Sequence, residues 1–156
     1  MTLSLQEMSD RFEIQDLLVG YCYAVDSQDF DAFAKVFTDD ALIDYSEMVG
    51  MKGSVPEIVA FLKESLGACK TFLHSVSTTQ YQIDGDKAHT RTAVYNPMVI
   101  DENGTDRVMT FGLWYLHDFV RTPQGWRISH LYEKACYGIN VPDWVKELTQ
   151  KKEPAE

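Results

Sequence analysis

Positive charge is what this chain most lacks. Fourteen Lys and Arg stand against twenty-four Asp and Glu, leaving a net charge of −10. That balance repels polyphosphate and anionic lipid, so neither nucleic acid nor a membrane surface is expected as a partner. Cysteine is scarce too. Cys22, Cys69 and Cys136 are odd in number, far apart and free of any Cys-x-x-Cys pair, which excludes a disulfide framework and a zinc site as expectations. No stretch approaches the roughly eighteen consecutive apolar residues of a membrane span, and the opening MTLSLQEMSDRF carries acids without an apolar signal core. A cytoplasmic location is expected. Internal repeats and low-complexity blocks are missing as well.

What is present is the composition of a folded globule. With 45% apolar and 12% aromatic residues over 156 positions, the chain is expected to form a single domain, residues 1–156, with a full core and room for a small-molecule cavity.

Periodicity divides the chain in two. Ile14, Leu17, Leu18, Tyr21 and Val25 recur at the spacing of one helix face, behind a cap at Ser9 or Asp10, and the pattern stops at Asp26-Ser27. A short helix is expected over residues 29–37, then a strand over 41–45 that puts Tyr45 at its end. Ser54 and Pro56 open a third helix that runs to about Cys69. Beyond it the period changes to two, with strands expected at about 71–83, 87–100, 107–120 and 126–137. The turns between them read Asp84-Gly85-Asp86, Asp101-Glu102-Asn103-Gly104-Thr105 and Thr122-Pro123-Gln124-Gly125, chemistry suited to hairpins. Asn140 and Pro142 begin a C-terminal extension with a short helix around Trp144 and Leu148, which then frays past Lys151 and Pro154. Helices followed by an antiparallel meander give an α+β fold, a cone whose N-terminal helices pack in the concave face of a curved, mostly antiparallel sheet.

One residue interrupts the first helix stripe. The row Leu18, Cys22 continues by four into Asp26, so a carboxylate sits at the edge of the core, where it needs a donor or a proton. His74, flanked on its own strand face by Phe72 and Val76, is the natural partner. The other histidines carry less weight. His89 lies opposite the face of Ala88, Thr90, Thr92 and Val94 and is expected in solvent. His117 shares a face with Leu113, Tyr115 and Phe119, while His130 alternates with Ile128 and Tyr132; either could reach the pocket. Tyr21, Tyr23, Tyr95, Tyr115, Tyr132, Phe111 and Trp114 could wall a cavity for a flat aromatic substrate, with at most half of them expected there because strand aromatics are more often plain core. Asp39, Asp40 and Asp44 follow a helix end, where carboxylates cap or solvate a turn; no metal site and no cofactor are expected.

Residues 21–46 (YCYAVDSQDFDAFAKVFTDDALIDYS), His74 and Gly125-Trp126-Arg127-Ile128 together resemble the SnoaL-like branch of the nuclear-transport-factor-2-like superfamily, over roughly residues 8–138. The likeness leaves 139–156 as the extension. Within the branch, scytalone dehydratase and lindane dehydrochlorinase are cofactor-free lyases that use an Asp at the end of the first helix and a His on the first long strand; Asp26 and His74 match that pair. The resemblance also implies a tyrosine on the strand after the second helix, matched by Tyr45, and another just before the Asp, where this chain has Val25. Tyr21 or Tyr23 could take its place from a neighbouring turn. Met98, Leu113 and Tyr115 stand where the dehydratase has polar residues, which points away from scytalone as substrate. Members commonly pair as dimers or trimers, so a homo-oligomer is expected.

The expected chemistry follows from the pair. A neutral imidazole is a good general base near neutral pH, and a carboxylate on its far nitrogen fixes the tautomer and stabilises the imidazolium. With no Ser or Cys nucleophile beside the pair, proton abstraction is favoured over covalent catalysis. The leading expectation is a lyase with His74 as base and then acid, Asp26 as its partner and Tyr45 at the oxyanion. It would eliminate water, or formaldehyde by retro-aldol cleavage, from a hydrophobic, aromatic or polycyclic hydroxy compound. Tyr21, Tyr23, Phe72, Val76, Asn96, Met98, Phe111, Leu113, Tyr115, His117 and His130 are the pocket candidates. An isomerase or polyketide-type cyclase would use the same dyad, and a non-catalytic binding module would use only the cavity.

Overall fold

A computed structural model of the chain describes residues 2–150, with side chains through residue 147. The first helix, α1, spans Leu5–Asp26 and starts a turn before the expected cap, because Ser4 accepts from the Glu7 N–H. Asp10 is therefore not a cap. It is buried in the helix, where its Oδ1 accepts from Arg121 Nη2 at 2.8 Å, Trp126 Nε1 at 3.1 Å and Gln6 Nε2 at 3.0 Å. Burial alone would raise its pKa, but the Trp126 and Arg121 bonds outweigh that and leave it lowered. This network ties the N-terminal half of α1 to the sheet and leaves the C-terminal end, with Asp26, facing the opposite end of the fold.

Helix α2 is Phe30–Lys35, capped by Asp29, and leads into strand β1, Phe37–Tyr45. Two short elements absent from the sequence reading follow: helix α3, Ser46–Val49, and strand β2, Met51–Ser54. Helix α4, Val55–Ser65, opens with a capping box in which Ser54 and Glu57 satisfy one another, and it ends in a 3₁₀ turn over Leu66–Ala68. The remaining strands are β3 (Cys69–Phe72), β4 (Ser75–Asp84), β5 (Lys87–Glu102), β6 (Thr105–Thr122) and β7 (Gly125–Ile139), followed by α5 (Asp143–Gln150). No helix among the described residues is long and apolar enough to cross a membrane.

The sheet order is β2-β1-β7-β6-β5-β3, with β4 also on β5; only β1 and β7 run parallel. The expected single strand over 71–83 is thus two strands on one edge, broken at Leu73-His74. Pro97 on β5 explains the break: it has no N–H to give, while its carbonyl accepts from the Leu73 N–H at 3.1 Å. The His74 N–H is left over and turns to Asp26. The core lies between the helices and the concave face, with Ile14, Leu18, Phe33, Ile43, Ile58, Ile128 and Leu131 all essentially inaccessible. This is the expected cone, an α+β fold with the sheet curved around the helices.

One irregularity in the β6–β7 pairing decides which side chains face inward around the site. Phe119 pairs with Ile128 but Asp118 with His130, so Ser129 is an extra residue, a bulge that shifts the alternation by one. Trp126 and Ile128 point inward before it; Leu131 and Glu133 do so after it.

Candidate functional site

The end of α1 and the break in the edge strand meet at Asp26 and His74. Asp26 holds the histidine twice. Its Oδ1 lies 2.6 Å from His74 Nδ1, and its Oδ2 accepts the His74 backbone N–H at 2.9 Å. The carboxylate thereby fixes the ring's position and its tautomer: Nδ1–H donates to Asp26, and Nε2 carries the lone pair. On the far side, Asn96 Nδ2 of β5 donates to Nε2 at 2.7 Å, while Asn96 Oδ1 has no partner among the described residues. Both partners of the dyad are largely enclosed, the side chains being 8% exposed for His74 and 16% for Asp26. Phe72 packs edge-on against the His74 ring.

His74 and Asn96 line a cavity of about 130 Å³ between the sheet, α1, α3, α4 and α5. An apolar cavity of roughly 150 Å³ holds a benzene molecule, so this one has the size of a single ring. Its wall includes Tyr21, Val25, Tyr45, Met98, Phe111, Leu113 and Glu133. The Tyr21 and Tyr45 hydroxyls are 2.6 Å apart, one donating to the other. Burial holds both phenols protonated, far above their usual range.

Of the sequence-predicted residues, the structure gathers His74, Tyr45, Tyr21, Asn96, Met98, Phe111 and Leu113 at the cavity, holds Asp26 behind His74, and leaves six others off the wall. Tyr23 is 71% exposed, a helix position away from the stripe, so of the two tyrosines it is Tyr21 that faces the cavity. Phe72 and Val76 pack against the core beside His74. Tyr115 lies behind Tyr21, its ring 5.5 Å away and edge-on. His117 is 1% exposed among Tyr21, Tyr115 and Phe119, with neither ring nitrogen hydrogen-bonded, and burial pushes its pKa down to about 3. His130 is turned outward by the Ser129 bulge and stands 3.6 Å from Asp118. Of the remaining aromatics, Tyr95 is exposed, Trp114 stacks under Arg91 and Tyr132 bonds to Glu47, all away from the cavity.

Beyond the apolar lining from α3 and α4 (Met48, Val49, Phe61 and Leu62), two features of the wall escaped the sequence reading. Glu133 carries a carboxyl into the cavity, where burial pushes its pKa up to about 8 against the opposing pull of the Tyr115 and Tyr21 hydroxyls. The three-residue gap between Ile128 and Leu131, in a strand otherwise read at period two, is the signal that could have revealed it. The other is α5, read as an outlying extension; its Trp144 and Val145 close the cavity from the C-terminal side.

Residues 6–132 match the SnoaL-like domain family, and the chain belongs to it. An uncharacterized protein of Mycobacterium tuberculosis H37Rv, Rv2910c, is 44% identical over 135 residues, covering 86% of this chain and 91% of its own. Among solved structures, Kfla4162 of Kribbella flavida superposes with a TM-score of 0.78 at 27% identity, over 92% of this chain and 98% of that one. A candidate scytalone dehydratase of Novosphingobium aromaticivorans follows at 0.76 and 14%, over 86% and 89% of the two chains. The hexachlorocyclohexane dehydrochlorinase LinA-type3 of Novosphingobium barchaimii gives 0.76 at 17%, over 86% and 92%. At those identities the last two speak for the fold alone.

Proposed function

We propose that this chain is a cofactor-independent lyase that uses Asp26 and His74 for general acid/base catalysis on an aromatic hydroxy compound, eliminating water or formaldehyde. The observation that carries the reading is the double grip of Asp26 on His74, which fixes the ring at the wall of an apolar cavity with Nε2 on the Asn96 amide. A general base needs a fixed tautomer beside the substrate volume, and Asn96, whose Oδ1 is unpartnered among the described residues, releases the Nε2 lone pair once its amide turns. Nε2 takes a proton from carbon or phenol, and the Asp26 carboxylate stabilises the imidazolium. Asn96 can reverse its amide as this happens, so that its unpartnered Oδ1 receives the new Nε2–H. The Tyr21–Tyr45 pair supplies a phenolic proton to the oxygen on which charge collects. For water loss the same imidazolium then protonates the departing hydroxyl; for formaldehyde loss Nε2 takes the hydroxymethyl O–H proton instead, the C–C bond breaks, and the imidazolium returns that proton to the ring carbon that keeps the electron pair. The cavity volume favours one ring over a polycyclic substrate.

Deuterium incorporation from heavy water into single-ring hydroxy ketones, followed by mass spectrometry together with assays for released water or formaldehyde products, tests the reading. Turnover should fall by about 10²–10⁴ in both His74→Ala and Asp26→Asn with folding retained. Full activity in both variants would sink the proposal and leave a binding module. The exposed apolar side chains of Tyr95, Val108 and Tyr137 support association of copies through the sheet, which light scattering measures. Free thiols at Cys22, Cys69 and Cys136 support a cytoplasmic setting.

A further inference from the structure

The lyase reading leaves Glu133 unused. It sits on β7, three strand spacings from the His74 edge of the sheet, roughly 14 Å measured along the sheet. Its accessible surface opens on the cavity. The titratable groups facing it are Tyr21 and Cys22 on α1, Tyr45 on β1 and Tyr115 on β6. None is a cation, and among the described residues no Lys or Arg lines the cavity. Tyr115, fully buried, has no hydrogen-bond partner for its hydroxyl among the described residues, so this side of the cavity holds an unaccepted O–H beside a carboxyl that gains another when it carries a proton.

We propose that Glu133 is a substrate-recognition residue, donating a hydrogen bond with Tyr21 and Tyr115 behind it to a second, neutral oxygen of the substrate, at the end opposite the one that meets His74. The inference rests on the single-ring lyase reading and names its substrate class: an uncharged ring with an oxygen substituent at each end. A carboxylate or phosphate is refused, because Glu133 would lose its role as donor on ionising and the cavity offers no cation to replace it. The donor is available because an unpaired carboxyl in such surroundings keeps its proton at neutral pH. A second oxygen held in this way fixes the ring along the cavity and sets which carbon faces Nε2.

Calorimetric binding of three small probes tests this without any turnover. They are 1,4-benzenedimethanol, with an oxygen at each end; benzyl alcohol, with one; and 4-(aminomethyl)benzyl alcohol, which is cationic. At about pH 6 the diol should bind about tenfold tighter than benzyl alcohol, one hydrogen bond's worth. That preference should fade toward pH 9 as Glu133 ionises. Glu133→Gln, which keeps a donor, should retain the preference within about threefold and lose its pH dependence, while Glu133→Leu should abolish it. The proposal is overturned if the diol binds no tighter than benzyl alcohol, or if Glu133→Leu keeps the preference. It is overturned too if the amine is the preferred probe, which would make Glu133 a carboxylate that receives cations. Because His74 stays intact throughout, failure here leaves the lyase reading standing, and inactivity of the dyad leaves this one standing.

Discussion

Two histidines point into the concave face of the same sheet, and their surroundings differ in every respect that matters. His74, at the open end, has its backbone N–H and both ring nitrogens engaged by Asp26 and Asn96 and borders a cavity. His117, beneath α1, has neither nitrogen engaged among the described residues and packs against the rings of Tyr21, Tyr115 and Phe119. Burial costs a polar group free energy unless it is paired, so His117 stays neutral and behaves as a flat aromatic filler. His74 has been given what a base requires, a carboxylate behind and a volume in front. The difference teaches that a histidine's value for chemistry lies in the partners of its nitrogens and not in its burial.

The sharpest way to break the comparison is the same substitution at both sites. His74→Phe should reduce lyase turnover by about 10³ or more, while His117→Phe leaves it within a few-fold, both measured on the substrate found by the deuterium screen. Equal losses would mean that the two environments are not functionally distinct.

An acid titration separates them next. The folded state depresses the pKa of His117 to about 3 from an ordinary 6.5. The stability this represents is full above pH 6.5 and is lost progressively as pH falls toward 3. By pH 5 the loss is about 2 kcal/mol, read as a lower urea midpoint. His117→Phe should remove that acid sensitivity and leave the neutral stability unchanged or raised. If the variant loses stability on acidification as steeply as the parent, the sensitivity comes from elsewhere.

Glu133 gives the opposite sign. Its folded pKa is raised, so its contribution is full below the unfolded value near 4.5 and is lost as pH rises toward about 8. Glu133→Gln should therefore stabilise the fold at pH 8 by about 1–2 kcal/mol, discounted because the carboxyl borders a cavity, and should change nothing at pH 4. A destabilised variant at pH 8 would show that Glu133 is held as a paired carboxylate.

Much of this site was legible, and the illegible part has a single kind of cause. Asp26 stood out because a carboxylate on an apolar helix stripe is anomalous within one turn, and Tyr45 because its place at a strand end matched the tyrosine that the family resemblance implies. His74 was found as a residue but placed inside a strand, since nothing local says that Pro97, across the ladder, withholds a donor. The pocket residues of β5 and β6 obeyed period two. On β7 the inserted Ser129 reversed every side chain after it, which put His130 outside and hid Glu133. Similarly, α5 reads as an amphipathic tail, and only tertiary docking brings Trp144 and Val145 to the cavity. Local patterns survive where the backbone is regular; a bulge or a docked terminal helix is settled by pairing across the sheet, which single-strand periodicity does not record.

The smallest expected effect concerns that reversed strand. His130, which a regular β7 would aim inward with Ile128, is instead half-exposed beside Asp118, on the face opposite the cavity. An ion pair so open to solvent contributes little, so His130→Ala should shift stability by no more than about 0.5 kcal/mol and leave both turnover and diol binding unchanged. Deleting Ser129 is the companion test. It removes the extra residue of the bulge, so Ile128, Leu131 and Glu133 keep the inward face at a regular period of two and His130 stays outside. The deletion should therefore fold and keep the diol preference. A deletion variant that folds but has lost that preference would show that the bulge itself, and not the alternation beyond it, aims Glu133 into the cavity.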